Sequence, residues 1–295
     1  MKKLGLIIVI CALSFAVVWK DKPLMSEAVE MSSSAKAIVL IEAETGKVLY
    51  EDNSKQPLPI ASMSKLMTQY LVLNAVNNGT LTWESTYEPS EYVRQMVQQA
   101  SAVKLDMVKG NSYTVEELFI AMTVISANDA AMALAEMIGG TEEAFVELMN
   151  KQANSFGLKE TTFYNASGLD GDYVGKGQDE TNLSSARDVA VIAQQLLAKY
   201  PEVLDVASMT DFTTSEGTRL WSTNLMLPGM PQAYPGIDGL KTGYTDQAGS
   251  CLVSTGVFDG QRIITVVMDV EAGGTDTINP RFELTKELIE RYVME

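Results

Sequence analysis

Two β-rich blocks at opposite ends of the chain, with helical sequence between them, limit the fold more than any other feature. Ala37 to Glu42 and Lys47 to Tyr50 flank the turn Glu44-Thr45-Gly46 and read as a hairpin. Cys251 to Phe258 and Arg262 to Val270 flank Asp259-Gly260, a dipeptide suited to a two-residue hairpin turn. The four runs most simply share one antiparallel sheet. Between them the spacing predicts helices. The first starts near Ser62 and runs to about Asn77, where Gly79 stops it. The next opens on a capping box, Thr114-Val115-Glu116-Glu117, and runs towards Ser126-Ala127-Asn128. Others are expected over Asp129 to Ile138, Thr141 to Phe156 and Ala186 to Tyr200, the last capped by Ser184-Ser185 and stopped by Pro201. Residues 161–183 read as an ordered loop, and an amphipathic helix from Arg281 to Val293 closes the chain. The expected class is α+β: an antiparallel sheet flanked by helices, with an inserted all-helical subdomain.

Composition removes several functions. The chain has 295 residues and a net charge of −16, with no basic block to offset it. That argues against nucleic acid and against anionic membrane surfaces as partners. There is no histidine, so every Ser-His or Cys-His mechanism is excluded. With no histidine and only Cys11 and Cys251, no thiolate or imidazole metal site can be assembled; a carboxylate-only site stays open. Cys11 lies in the leading apolar run and Cys251 in a predicted strand, so no disulfide is expected between them.

Met1-Lys2-Lys3 precedes an uncharged run from Leu4 to Trp19, then Lys20-Asp21-Lys22. A basic start followed by an apolar run is the pattern of an export signal. Sixteen helical residues reach roughly 24 Å, short of the ~30 Å hydrocarbon core, and no small-x-small site follows Trp19 directly. Residues 1–20 are thus expected to be a signal peptide or an uncleaved N-terminal anchor, 21–35 a linker, and 36–295 the folded domain on the outer side of the membrane.

Chemistry concentrates in three short motifs. In Ala61-Ser62-Met63-Ser64-Lys65 a serine lies three residues before a lysine, so the hydroxyl and the amine share one helical face. A serine needs a base, and a lysine serves if burial or a nearby cation lowers its pKa. Ser62 could equally be only the N-cap of its helix. Ser126-Ala127-Asn128 falls at a break between helices, and Lys241-Thr242-Gly243 at a predicted strand start, where glycine lets a ligand backbone come close. The Ser-x-x-Lys, Ser-x-Asn, Lys-Thr-Gly order is that of the penicillin-interacting serine enzymes.

The surrounding sequence narrows the resemblance. Ile38 to Tyr50, Ala61 to Thr68, Ser126 to Ala130 and Asp238 to Thr245 closely resemble the D-alanyl-D-alanine carboxypeptidases, the low-molecular-mass penicillin-binding proteins. Phe163-Tyr164-Asn165 through Leu169 and Ser184 to Asp188 look like that family too. The resemblance covers about residues 36–293 and implies a β-lactamase/transpeptidase-like fold that uses no cofactor and no metal. It also implies the roles. Ser62 attacks the terminal D-Ala-D-Ala peptide bond of a peptidoglycan stem peptide, and Lys65 takes its proton. The backbone N–H groups of Ser62 and Tyr244 hold the oxyanion. Ser126 relays a proton to the leaving D-alanine, Lys241 holds Ser126, Asn128 holds the substrate amide, and Thr242 with a guanidinium binds the free carboxylate. Arg281 is the candidate guanidinium, with a solvated residue at a helix start as the alternative; Gly243 and Tyr244 are the other expected substrate-binding residues. β-Lactam antibiotics are the expected covalent inhibitors.

Two departures stand out. Ala127 replaces the glycine found in many Ser-Gly-Asn motifs. Many relatives also carry a C-terminal β-rich domain and an amphipathic helix, whereas this chain stops at Glu295; the N-terminal segment is then the expected attachment, or the protein is released. Three other functions share the motifs. A D,D-endopeptidase would use the same centre on cross-links. A class A β-lactamase would need a Glu-x-x-Leu-Asn loop, whose nearest match, Glu180-Thr181-Asn182-Leu183-Ser184, reads better as a helix entry. A penicillin sensor that acylates without turnover would be expected to carry a signalling domain.

Overall fold

The structure, a computed structural model, describes residues 35–96, 103–271 and 280–294. The chain opens with strands β1 (Ala35–Glu42) and β2 (Val48–Asp52). The helices α1 (Lys65–Asn77), α2 (Val115–Val124), α3 (Asn128–Gly139), α4 (Glu142–Ser155) and α5 (Ala186–Lys199) follow. Strands β3 (Ile237–Thr245), β4 (Gly249–Phe258) and β5 (Gln261–Val270) and helix α6 (Pro280–Tyr292) complete it. The five strands form one sheet in the order β2-β1-β5-β4-β3, antiparallel throughout. β1 and β5 pair across the whole insert, with Ile38 opposite Val267 and Leu40 opposite Thr265.

Alternation along β1 explains why its sequence is apolar without a break. Ala37, Val39 and Ile41 enter one core with α1, α2, α3 and α5, while Ile38 and Leu40 enter a second core with Phe282, Leu288 and Ile289 of α6. A strand covered on both faces has no polar side to show. The β4–β5 turn is the expected one: Asp259 and Gly260 have φ of 48° and 80°, the left-handed pair that matches strand twist.

Several details differ from expectation. Ala35, assigned to the linker, is the first residue of β1, and the predicted leader and the rest of the linker lie outside the described residues. The insert is not wholly helical, because Asp211–Thr213 and Arg219–Trp221 pair as a small hairpin. The capping box is half formed: Thr114 Oγ1 accepts the Glu117 N–H at 3.1 Å, but the Glu117 carboxylate accepts the N–H and hydroxyl of Ser215 instead. Lys241-Thr242-Gly243 lies in the second half of β3 rather than at its start. β3 is an edge strand, so among the described residues its backbone groups on the side away from β4 are not paired with another strand of this sheet.

Candidate active site

Ser62 sits in a 3₁₀ turn, Ala61–Ser64, that leads into α1; the N-cap of the helix is Ser64. The capping explanation for Ser62 therefore falls away. A 3₁₀ turn also eclipses side chains at i and i+3, which an α-helix does not, and this brings Ser62 and Lys65 together. Lys65 Nζ lies 2.8 Å from Ser62 Oγ, and it donates to Asn128 Oδ1 at 2.8 Å and to the Ser167 carbonyl at 2.6 Å. Lys65 is fully buried and Ser62 is partly exposed, so the amine is dry while the hydroxyl is reachable.

Burial, followed by the positive charge of Lys241, pushes the Lys65 amine well below its usual pKa, with Asp129 opposing. A neutral amine has two N–H donors and one lone pair. The carbonyl of Ser167 and Oδ1 of Asn128 occupy the donors, which leaves the lone pair for Ser62. So placed, a neutral Lys65 amine is able to accept a proton from Ser62.

The second lysine is as deeply buried. Lys241 Nζ donates to the Thr242 carbonyl at 3.0 Å, and burial together with the Arg281 charge lowers its pKa to about 7. Between about 7 and the 10.5 of an exposed lysine the folded protein binds fewer protons here than the unfolded chain. Stability therefore rises with pH across that window, and below it the buried charge is a full penalty. Lys241→Met is expected to raise the melting temperature at pH 7, with the gain narrowing as pH approaches 10.5. Thermal melts of both proteins across that range check it; an unchanged or lower melting temperature at pH 7 would contradict it.

Seven of the nine predicted residues line one cavity of about 190 Å³, among them Ser62, Ser126, Asn128, Thr242 and Arg281. Gly243 and Tyr244 complete that set, while Lys65 and Lys241 are buried side chains off the lining. Ser126 adopts φ of 67°, a left-handed conformation unusual for a residue with a Cβ, at the break between α2 and α3. Asn128 is less free than expected: Oδ1 accepts from Lys65 and Nδ2 donates to the Val103 carbonyl at 2.9 Å, leaving one amide hydrogen for a ligand. Arg281 is not a solvated helix start. Its guanidinium reaches over the edge strand and donates to the carbonyls of Gly243 at 2.8 Å and Cys251 at 3.3 Å.

Gly243, on the cavity wall, also has a packing role. A Cβ there would stand 3.2 Å from the Ile60 carbonyl oxygen and 3.3 Å from Ala61 Cβ, so the glycine lets the edge strand pack against the Ser62 turn. The structure also recruits residues that the sequence reading passed over. Thr223 Oγ1 is 2.6 Å from Thr242 Oγ1 on the cavity wall. Asp129, buried with its pKa raised by desolvation, accepts the N–H groups of Leu105 and Ala130 and holds the loop that carries Val103. Asn182 Oδ1 accepts the N–H groups of Tyr164 and Asn165, while its Nδ2 donates to Ser64 Oγ and the Asn165 carbonyl. The neighbouring Glu180 is exposed, accepts the N–H of Gly177 in its own loop and is not among the residues lining the cavity. Among the described residues no group of three or more His, Cys, Asp and Glu side chains is placed to hold a metal.

An antiparallel sheet over a helical insert, with a serine–lysine pair facing an edge strand, is the arrangement of penicillin-binding proteins. The chain superimposes with a TM-score of 0.84 on PBP3 of Streptococcus pneumoniae, described as a peptidoglycan synthesis regulatory factor, at 40% identity over 88% of this chain and 72% of that one. Penicillin-binding protein D2 of Listeria monocytogenes, solved with cefotaxime bound, gives 0.75 at 37% identity over 87% of this chain and 96% of that one. By sequence, the D-alanyl-D-alanine carboxypeptidase DacF of Bacillus subtilis is 37% identical over 81% of this chain and 58% of its own length. The chain thus spans under two thirds of that relative. A family model for D-alanyl-D-alanine carboxypeptidases, peptidase family S11, matches residues 24–272, and the chain belongs to this family.

Proposed function

We propose that the protein is a serine-type D-Ala-D-Ala carboxypeptidase that removes the terminal D-alanine of peptidoglycan stem pentapeptides and is acylated by β-lactams. The observation that carries this reading is the buried Lys65 amine with both its donors occupied and Ser62 Oγ 2.8 Å away. Ser62 Oγ attacks the carbonyl of the penultimate D-alanine while its proton passes to Lys65. The developing oxyanion is held by the N–H groups of Ser62 and Tyr244, donors of a kind worth several kcal/mol in preorganised sites. The C–N bond breaks as the leaving amine takes a proton by way of Ser126, and D-alanine departs. Water then cleaves the ester and restores the serine. Asn128 presents its remaining N–H to the substrate amide.

Thr242 and Arg281 bind the free carboxylate, which restricts cleavage to the chain end. Arg281→Lys keeps the charge but loses the planar fork. Its KM for an acyl-D-Ala-D-Ala peptide is expected to rise about tenfold, the value of one lost charge-assisted hydrogen bond. The preference over the C-terminal amide of the same peptide should shrink in step. Equal losses on acid and amide would remove Arg281 from carboxylate recognition.

A direct test incubates the protein with stem pentapeptide and, separately, with fluorescent penicillin. Release of free D-alanine and a label mapped to the peptide containing Ser62 are expected. Label on any other residue would end the assignment. An endopeptidase reading draws support from a 29% identical D-alanyl-D-alanine endopeptidase of Escherichia coli, so cross-linked dimers belong in the same assay. Faster cleavage of dimers than of pentapeptide would establish that alternative. A peptidoglycan substrate supports a location outside the cytoplasmic membrane, with the apolar segment 4–19 as the proposed means of export or attachment. Among the described residues no helix is long and apolar enough to cross a membrane.

A further inference from the structure

Glu142 is a buried carboxylate with no part in the chemistry described so far. It is 2% exposed in the first turn of α4, and burial raises its pKa. Oε1 accepts the N–H of Ala166 at 2.8 Å and Oε2 accepts the hydroxyl of Tyr92 at 2.6 Å. On the other side of the same residue, Thr68 Oγ1, fully buried, donates to the Ala166 carbonyl at 2.8 Å. The backbone of Ala166 is therefore gripped at its N–H from α4 and at its C=O from α1. The next carbonyl along the chain is that of Ser167, which receives the Lys65 N–H. Thr68 lies three residues beyond Lys65, so one face of α1 both carries the amine and fixes the segment that orients it.

We propose that Glu142 and Thr68 are positioning residues that clamp Ala166 so that the Ser167 carbonyl fixes the Lys65 amine with its lone pair on Ser62. The inference rests on the reading of Lys65 as the base. Asn165 Oδ1 also accepts the N–H groups of Ser167 and Gly168, at 3.2 and 2.6 Å, so the clamp on Ala166 sets where that turn sits beneath Lys65. Of the two acceptors on Lys65, Asn128 Oδ1 belongs to a side chain held by the Val103 carbonyl, whereas the Ser167 carbonyl sits in a loop. A single remaining acceptor would let the amine rotate about its Cε–Nζ bond and sweep the lone pair away from the serine. A displacement of about 1 Å at such a contact costs up to ~10²-fold in rate.

The test measures the acylation rate of Ser62 by fluorescent penicillin across pH, the non-covalent affinity that precedes acylation, and a thermal melt. Glu142→Ala is expected to slow acylation by about 10- to 100-fold on the alkaline plateau, where the amine is neutral, with the preceding affinity unchanged. Glu142→Gln retains an acceptor for Ala166, and its new amide can donate to the Tyr92 oxygen; it should stay within about threefold of the wild type. Thr68→Val, nearly equal in volume, should reproduce the slow plateau and keeps the test open if Glu142→Ala does not fold. A wild-type plateau in Thr68→Val or in folded Glu142→Ala would overturn the clamp, as would equal loss in the alanine and glutamine variants. Failure of the wild type to label at Ser62 would instead overturn the carboxypeptidase reading itself.

Discussion

Lys65→Met is expected to slow the acylation of Ser62 by ~10³-fold, within the range that a positioned general base contributes. The change replaces an amine that burial already holds towards neutrality with a neutral side chain of similar length, so the fold should survive. It also changes the shape of the pH profile. With Lys65 as the base, wild-type acylation is expected to fall as pH drops through its depressed pKa and to level off above it. The variant should lose that limb and show a low rate with little pH dependence. Rapid-quench labelling with fluorescent penicillin reads both features. A variant within tenfold of the wild type, or one that keeps the acid limb, would show that another group takes the serine proton.

Gly168→Ala should be nearly as damaging, by another route. Gly168 has φ of 82°, and a Cβ there would stand 1.9 Å from the carbonyl oxygen of Ala61 and 2.9 Å from Ser64 Oγ. Backbone faces backbone, so no side-chain rotation relieves the overlap. The loop after Asn165 and the 3₁₀ turn of Ser62 would have to separate, taking the Ser167 carbonyl from Lys65. Overpacking with an unfavourable φ is expected to cost about 2–4 kcal/mol of stability, and acylation should fall with it. Urea denaturation and labelling measure the two. A variant that keeps both would mean that the loop and turn are not held in contact as described.

The parts of the molecule that were legible from sequence are those in which neighbours along the chain act together. Ser62 and Lys65 are three residues apart, Asp259-Gly260 is a local turn, and β1 carries its double burial in its own composition. Arg281 was legible only through resemblance, because its helix pattern alone allowed a solvated position. The residues that were missed act across distance. Asn182 reaches Ser64, Glu142 reaches Ala166, and Asp129 reaches Leu105. In sequence, Asn182 and Glu142 look like ordinary loop and helix-start residues, since nothing local marks a polar side chain whose partner is a backbone group elsewhere. The packing role of Gly243 was hidden for the same reason: the atom nearest to where its Cβ would stand is the Ile60 carbonyl oxygen, on a different element.

The central pairing of the sheet joins the two ends of the domain, with β1 against β5. During synthesis, Ser62 and Lys65 exist long before Lys241 does, and the sheet cannot close until Val270 has been made. A nascent or truncated chain therefore has a serine without its second lysine and a β1 edge without a mate. Contacts that span so much chain form slowly. The open edge is a standing invitation to wrong partners in the interval. The same topology has a second side: the strand that carries Lys241 is joined to β1 only through β4 and β5, so the two lysines are held in one site only once the last strand is in place.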